Sequence, residues 1–183
     1  MKKLLSLIAA IGIGLLAAST IGVAAQPEDP MAPSFFTGDG GLDASYTVET
    51  SETRPDGIVA ETFVLSARWA TNDPRIDGPM TNVGTTLDYR EGALDDSPTG
   101  ATGAVGHSLV RVVNEDGAWE GTLDFLIMEE VGTDQGSGWL VGEGAYEGLM
   151  AYVVIDYNSP CCKVSGHITP EGPPPVPESS PEG

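Results

Sequence analysis

Residues 116–157 set the strongest limit on the fold. They read DGAWEGTLDFLIMEEVGTDQGSGWLVGEGAYEGLMAYVVIDY. Within them Trp119, Gly121, Leu123, Phe125 and Ile127 alternate with Glu120, Thr122 and Asp124. Successive side chains of a strand point to opposite faces, so a period of two predicts a half-buried β-strand with its apolar face inward. The Asp116-Gly117 pair before it predicts a tight turn, because glycine tolerates positive φ. Residues 129–138 read as a polar, glycine-rich loop and 139–141 as a short second strand. A third strand is predicted over 149–157, with Leu149, Ala151, Val153 and Ile155 on one face and Met150, Tyr152 and Val154 on the other. Apolar content on both faces predicts a strand that is also covered outside, or an oligomer contact.

The same reading extends along the chain. Residues 44–50 form a first strand, RPDG at 54–57 a β-turn, and 58–70 a long strand with Phe63, Leu65, Ala67 and Trp69 on one face. Residues 80–90 alternate through Val83, Thr85, Leu87 and Tyr89. Residues 91–103 read as a loop, 106–114 as a strand of open register, and 163–169 as a last short strand. No run of helical period follows residue 25. Roughly eight strands with closely spaced turn signals predict an all-β domain over 44–170: a single antiparallel eight-stranded barrel, with a β-sandwich as the alternative. Closure would remove exposed strand edges. Residues 26–43 read as a poorly ordered lead-in, and 171–183, rich in proline, as a disordered tail.

At the start, Met1-Lys2-Lys3 precedes 22 uncharged residues that end in Val23-Ala24-Ala25. A basic segment, an apolar run and small residues at a cut site predict a signal peptide over 1–25, and hence secretion without stable membrane insertion. An uncleaved membrane anchor is the competing reading, since the run is long enough to span a bilayer. The 183 residues carry 27 Asp and Glu against 8 Lys and Arg, a formal charge of −19. Such a surface repels nucleic acid and anionic lipid. The acids are scattered rather than spaced as a calcium loop, so the acidity reads as solubility rather than cation binding.

The candidate chemistry is sparse. The chain holds 2 Cys and 2 His. Cys161 and Cys162 are adjacent: a strained vicinal disulfide, an intermolecular bridge and two free thiols all remain open. A zinc site needs more than these cysteines with His107 and His167, so no metal and no cofactor is expected. His107 beside Ser108 lacks the third partner and the nucleophile elbow of a hydrolase, so no catalytic residue is assigned. Asp73, Arg75 and Asp77 form the best polar constellation, with Arg75 between two carboxylates holding a loop by charge-assisted hydrogen bonds. Trp69, Trp119, Trp139 and Tyr146 are candidates to line a ligand cavity, against the alternative that they are core. Gly142, Gly144 and Gly148 read as structural, allowing sharp bends and close backbone approach.

The segment GEGAYEG at 142–148 resembles the G-x-G-x-[FY]-x-G corner of dirigent proteins and allene oxide cyclases. Three pieces in order, NDPRIDG (72–78), GAWEG (117–121) and GWLVGEGAYEGL (138–149), resemble a group of uncharacterised bacterial secreted proteins. The resemblance spans 44–170. It implies an eight-stranded antiparallel barrel and export, and it brings no activity or site residue with it. The expected function is non-enzymatic: a secreted acidic module that binds a small apolar ligand or another extracellular protein. The alternatives are a cyclase-like or dirigent-like barrel acting on a small apolar substrate, and an extracellular cation-binding surface protein.

Overall fold

In the computed structural model the described residues are 29–89, 103–128, 133–158 and 162–173. Among them the alternating segments form eight strands and no α-helix. The strands are β1 (Ser34–Thr53), β2 (Val59–Thr71), β3 (Gly78–Tyr89), β4 (Gly103–Val113), β5 (Gly117–Met128), β6 (Thr133–Gly144), β7 (Met150–Asp156) and β8 (Lys163–Thr169). Each pairs antiparallel with the next, and β8 returns to β1, so one sheet closes on itself as a barrel. Hairpin connections alone suffice for this order, which is the simplest way to remove sheet edges.

Turn chemistry places the corners as the sequence predicts. The Arg54 amide donates to the Ile58 carbonyl, and Gly57, at φ 82°, donates to the Arg54 carbonyl. Asn114 Oδ1 accepts from the amides of Asp116 and Gly117 to fold the β4–β5 turn. The glycine corner between β6 and β7 needs its glycines. Gly144 and Gly148 sit at φ 70° and 89°, and a Cβ on Gly142 would lie 2.2 Å from the Tyr146 carbonyl oxygen.

The inner face of β5 is as predicted: Trp119 and Leu123 are fully buried, and Glu120 and Asp124 face out. On β2, Phe63 and Trp69 point inward with Leu65 and Ala67 between them. On β7, Ala151, Val153 and Ile155 point into the core. Two expectations are corrected. First, 34–43 is not lead-in: β1 starts at Ser34, where Phe36 is buried. Bulges on either side of Leu42, with Gly38, Gly40 and Gly41, hide the alternation there. Second, 133–138 is strand, not loop. Gly136 faces Phe125 across the β5–β6 pair, and a Cβ on it would lie 3.1 Å from the Tyr157 hydroxyl. Glycines that yield space to rings erase the apolar signal. On β3, whose facing the sequence leaves open, Met80, Asn82 and Gly84 form the inner face and Val83 is outside, 48% exposed.

The two ends of the barrel differ. One end carries the start of β1, the β2–β3 connection, the β4–β5 turn and the β6–β7 corner. The other carries the β1–β2 turn, the ends of β3, β5 and β7 and the starts of β4, β6 and β8. The β1–β8 pairing covers Ser34 to Asp39, whereas β1 stays on β2 as far as Thr53. Beyond the bond from the Gly40 amide to the Cys162 carbonyl, β1 therefore leans on β2 alone, and the wall parts beside β8.

Candidate functional site

The first end is filled. Pro74–Ile76 forms a single 3-10 turn between β2 and β3, capped by Asp73, whose carboxylate accepts from the Arg75 amide. Arg75 is only 2% exposed, and all five of its side-chain donors are used. Nε and one terminal nitrogen grip the Asp73 carboxylate at 3.0 and 2.7 Å. The other nitrogen reaches the carbonyls of Pro30 and Ala32, and Ser34 Oγ takes the fifth. Burial alone would raise the Asp73 carboxyl, but hydrogen bonds from Arg75 and Ser34 and the guanidinium charge hold it below the usual carboxylate range. The Arg75 carbonyl in turn accepts from Trp119 Nε1 at 2.6 Å and from Asn114 Nδ2 at 3.0 Å. Trp119 stacks on Tyr146, with ring centres 5.3 Å apart, and the Tyr146 hydroxyl donates to Asn114 Oδ1. The predicted constellation is therefore half correct. Asp73 and Arg75 pair in the interior, but Asp77 turns outward to Arg68 at 3.0 Å.

The other end is partly hollow. An apolar cavity of about 250 Å³ lies inside the barrel there. Leu65 and Ala67 of β2, Met80 and Asn82 of β3, and Ile127 and Ile155 line its sides. Four rings follow one another around it: Tyr46 against Phe63 at 5.4 Å, Phe63 against Phe125 at 6.0 Å, and Phe125 against Tyr157 at 6.5 Å. Tyr46, on the free part of β1, is more than half exposed and stands at the mouth. Asn82 and Thr86 are the polar non-aromatic side chains in the wall; Asn82 is 2% exposed, and among the described residues its Oδ1 has no hydrogen-bond partner. Burial pushes the Tyr157 hydroxyl up to about 12, and burial followed by the Glu61 charge raises that of Tyr46, so both stay neutral. Among the described residues, no charged side chain lines the cavity.

None of Trp69, Trp119, Trp139 and Tyr146 lines this cavity, although Trp139 lines a separate, shallow pocket on the outer surface with Tyr152 and His167. Trp119 and Tyr146 are core of the filled end. Trp69 is fully buried just behind the wall, its Nε1 3.7 Å from where a Cβ on Gly40 would stand. Trp139 faces outward, clustered with Tyr152 at 5.1 Å and His167 at 5.5 Å, and the row continues to Phe35. The lining residues were missed because tryptophan content guided the choice. The signal that would have found them is the inward set of 63, 65 and 67 on β2 continued across to 125 and 127 on β5.

His107 and Ser108 point to opposite faces. His107 Nδ1 lies 2.6 Å from Asp124 Oδ1 outside, and Ser108 is buried inside, so the two cannot act on one substrate. His167 belongs to the outer aromatic cluster, and the described residues contain no group of three side chains fit to hold a metal. Cys162 is disulfide-bonded and buried at the cavity wall, while Cys161 lies outside the described residues. Together these features define a class: an up-and-down eight-stranded barrel closed at one end by a buried ion pair and hollow at the other. No family model, curated protein or solved structure matches the chain.

Proposed function

We propose that this protein is a binding module that holds one small, largely apolar molecule inside the barrel and performs no chemistry on it. The observation that carries the reading is the ring-lined cavity, set in a barrel whose other end is densely packed. An eight-stranded barrel has room to fill itself with side chains or to keep one small ligand. Here the first solution holds at one end and the second at the other. At about 250 Å³ the cavity is just below the usual range for ligand sites of about 300–1,000 Å³, which suits a molecule of one or two rings rather than a long chain. The signal-peptide pattern and the oxidised Cys162 support action outside the cytoplasm. The resemblance to dirigent proteins and allene oxide cyclases supports a barrel interior as the place of action, without supporting their chemistry.

The test is a panel of one- and two-ring apolar compounds, followed by thermal shift and intrinsic fluorescence. Saturable binding with a raised Tm is expected for part of the panel, and Trp69, behind the wall, reports occupancy. Silence across the panel would remove the pocket and leave the outer surface as the place of action. Turnover of a bound compound would replace binding with catalysis.

A further inference from the structure

Resting on the reading just given, we infer that the ligand carries a hydrogen-bond donor and no negative charge, and that Asn82 is the residue that selects it. Among the described residues, Asn82 Oδ1 is a buried acceptor without a partner in a largely apolar wall. A buried acceptor left alone is costly, so a ligand that donates to it gains more than a ligand of equal shape that does not.

Among the described lining residues nothing compensates an anion: there is no Lys, Arg or His, and the Tyr46 and Tyr157 hydroxyls offer only neutral dipoles. The whole chain bears a formal charge of −19, and its field opposes the approach of anions. A carboxylate entering here would lose its hydration without gaining a cation. Neutral alcohols, phenols and amides fit, as do amines, whereas fatty and aromatic acids do not. The polar wall position also sets the orientation of the ligand: donor toward β3, apolar body against Phe63, Phe125 and Ile155.

The experiment uses three compounds with one ring system: naphthol (donor), methoxynaphthalene (same shape, no donor) and naphthoate (anion). Their dissociation constants are measured by calorimetry on the unaltered protein and on Asn82→Leu. Naphthol is expected to bind about tenfold more tightly than methoxynaphthalene, as one satisfied buried acceptor implies, with naphthoate weakest. In Asn82→Leu the naphthol advantage disappears and methoxynaphthalene binds at least as well as before. Equal binding of naphthol and methoxynaphthalene to the unaltered protein would overturn the inference while leaving the pocket intact. So would tightest binding of naphthoate, or a naphthol advantage that survives Asn82→Leu. Should that variant fail to fold, the order of the three compounds on the unaltered protein still decides. No binding by any of them would overturn the pocket reading, and this inference with it.

Discussion

The two ends of the barrel solve the same packing problem in opposite ways. At the filled end, Arg75 enters the interior with every donor paired, and Trp119, Tyr146 and Asn114 complete the network around its carbonyl. At the hollow end the wall is apolar, four rings stand around open space, and Asn82 keeps an acceptor without a partner. Around Arg75 the polar groups of the first end form a satisfied set, which makes that end rigid and specific. At the second end an unsatisfied group is tolerated beside a cavity. Such a sacrifice of stability is expected where a site must receive something. Mutations at the two ends should therefore differ in size and even in sign.

The largest loss is expected for Trp119→Ala. Deleting a buried Trp costs about 3–5 kcal/mol, and here the Arg75 carbonyl also loses a donor. Chemical denaturation measures it. A loss below about 1 kcal/mol would mean that the Trp119–Arg75 contact does not hold this end together. Arg75→Met should follow closely, because it strands the Asp73 carboxylate in the interior; breaking one side of a buried pair costs about 3–5 kcal/mol. Tolerance of that change would place Asp73 in contact with water.

The same pair predicts a pH dependence. The folded Asp73 carboxyl lies below its unfolded value, so its contribution is present in full above about pH 4 and is lost as pH falls through the folded value. In Arg75→Met that part of the acid sensitivity should vanish. An unchanged acid profile in the variant would assign acid unfolding to other carboxylates.

The smallest change is expected at the hollow end. Asn82→Leu, nearly equal in volume, removes a buried acceptor that has no partner, and should leave stability unchanged or raise it by about 1 kcal/mol. A loss of more than about 1 kcal/mol would show that the amide is bonded in the folded protein and that the contrast between the ends is weaker than drawn.

The contrast also explains what was legible in the chain. Alternation over 116–128 and 58–70 located β5 and β2 and their inner faces, because one side of each strand is polar. It failed where inner positions are glycine: Gly136 and Gly138 hide the apolar face of β6. A Cβ on Gly136 would meet Tyr157 and Phe125, two rings of the cavity, so there the apolar signal gives way to the space the rings need. Arg75 was legible as a loop clasp through its spacing to Asp73, but not as a buried residue, since burial depends on Pro30, Ala32 and Ser34 from distant chain. The tryptophans misled for a related reason. Size predicts burial, and a fully packed ring is core rather than the lining of a cavity.

The central claim is that the hollow end, and not the filled one, receives a ligand. Ala67 lines the cavity and is small enough to be replaced by a side chain that occupies it. Thermal unfolding of the unaltered protein and of Ala67→Phe, each with and without the tightest compound of the panel, tests the claim directly. At 100 times its dissociation constant the compound should stabilise the unaltered protein by about 2.7 kcal/mol. It should leave Ala67→Phe where it was. An equal shift in Ala67→Phe would put the binding site elsewhere and contradict the account.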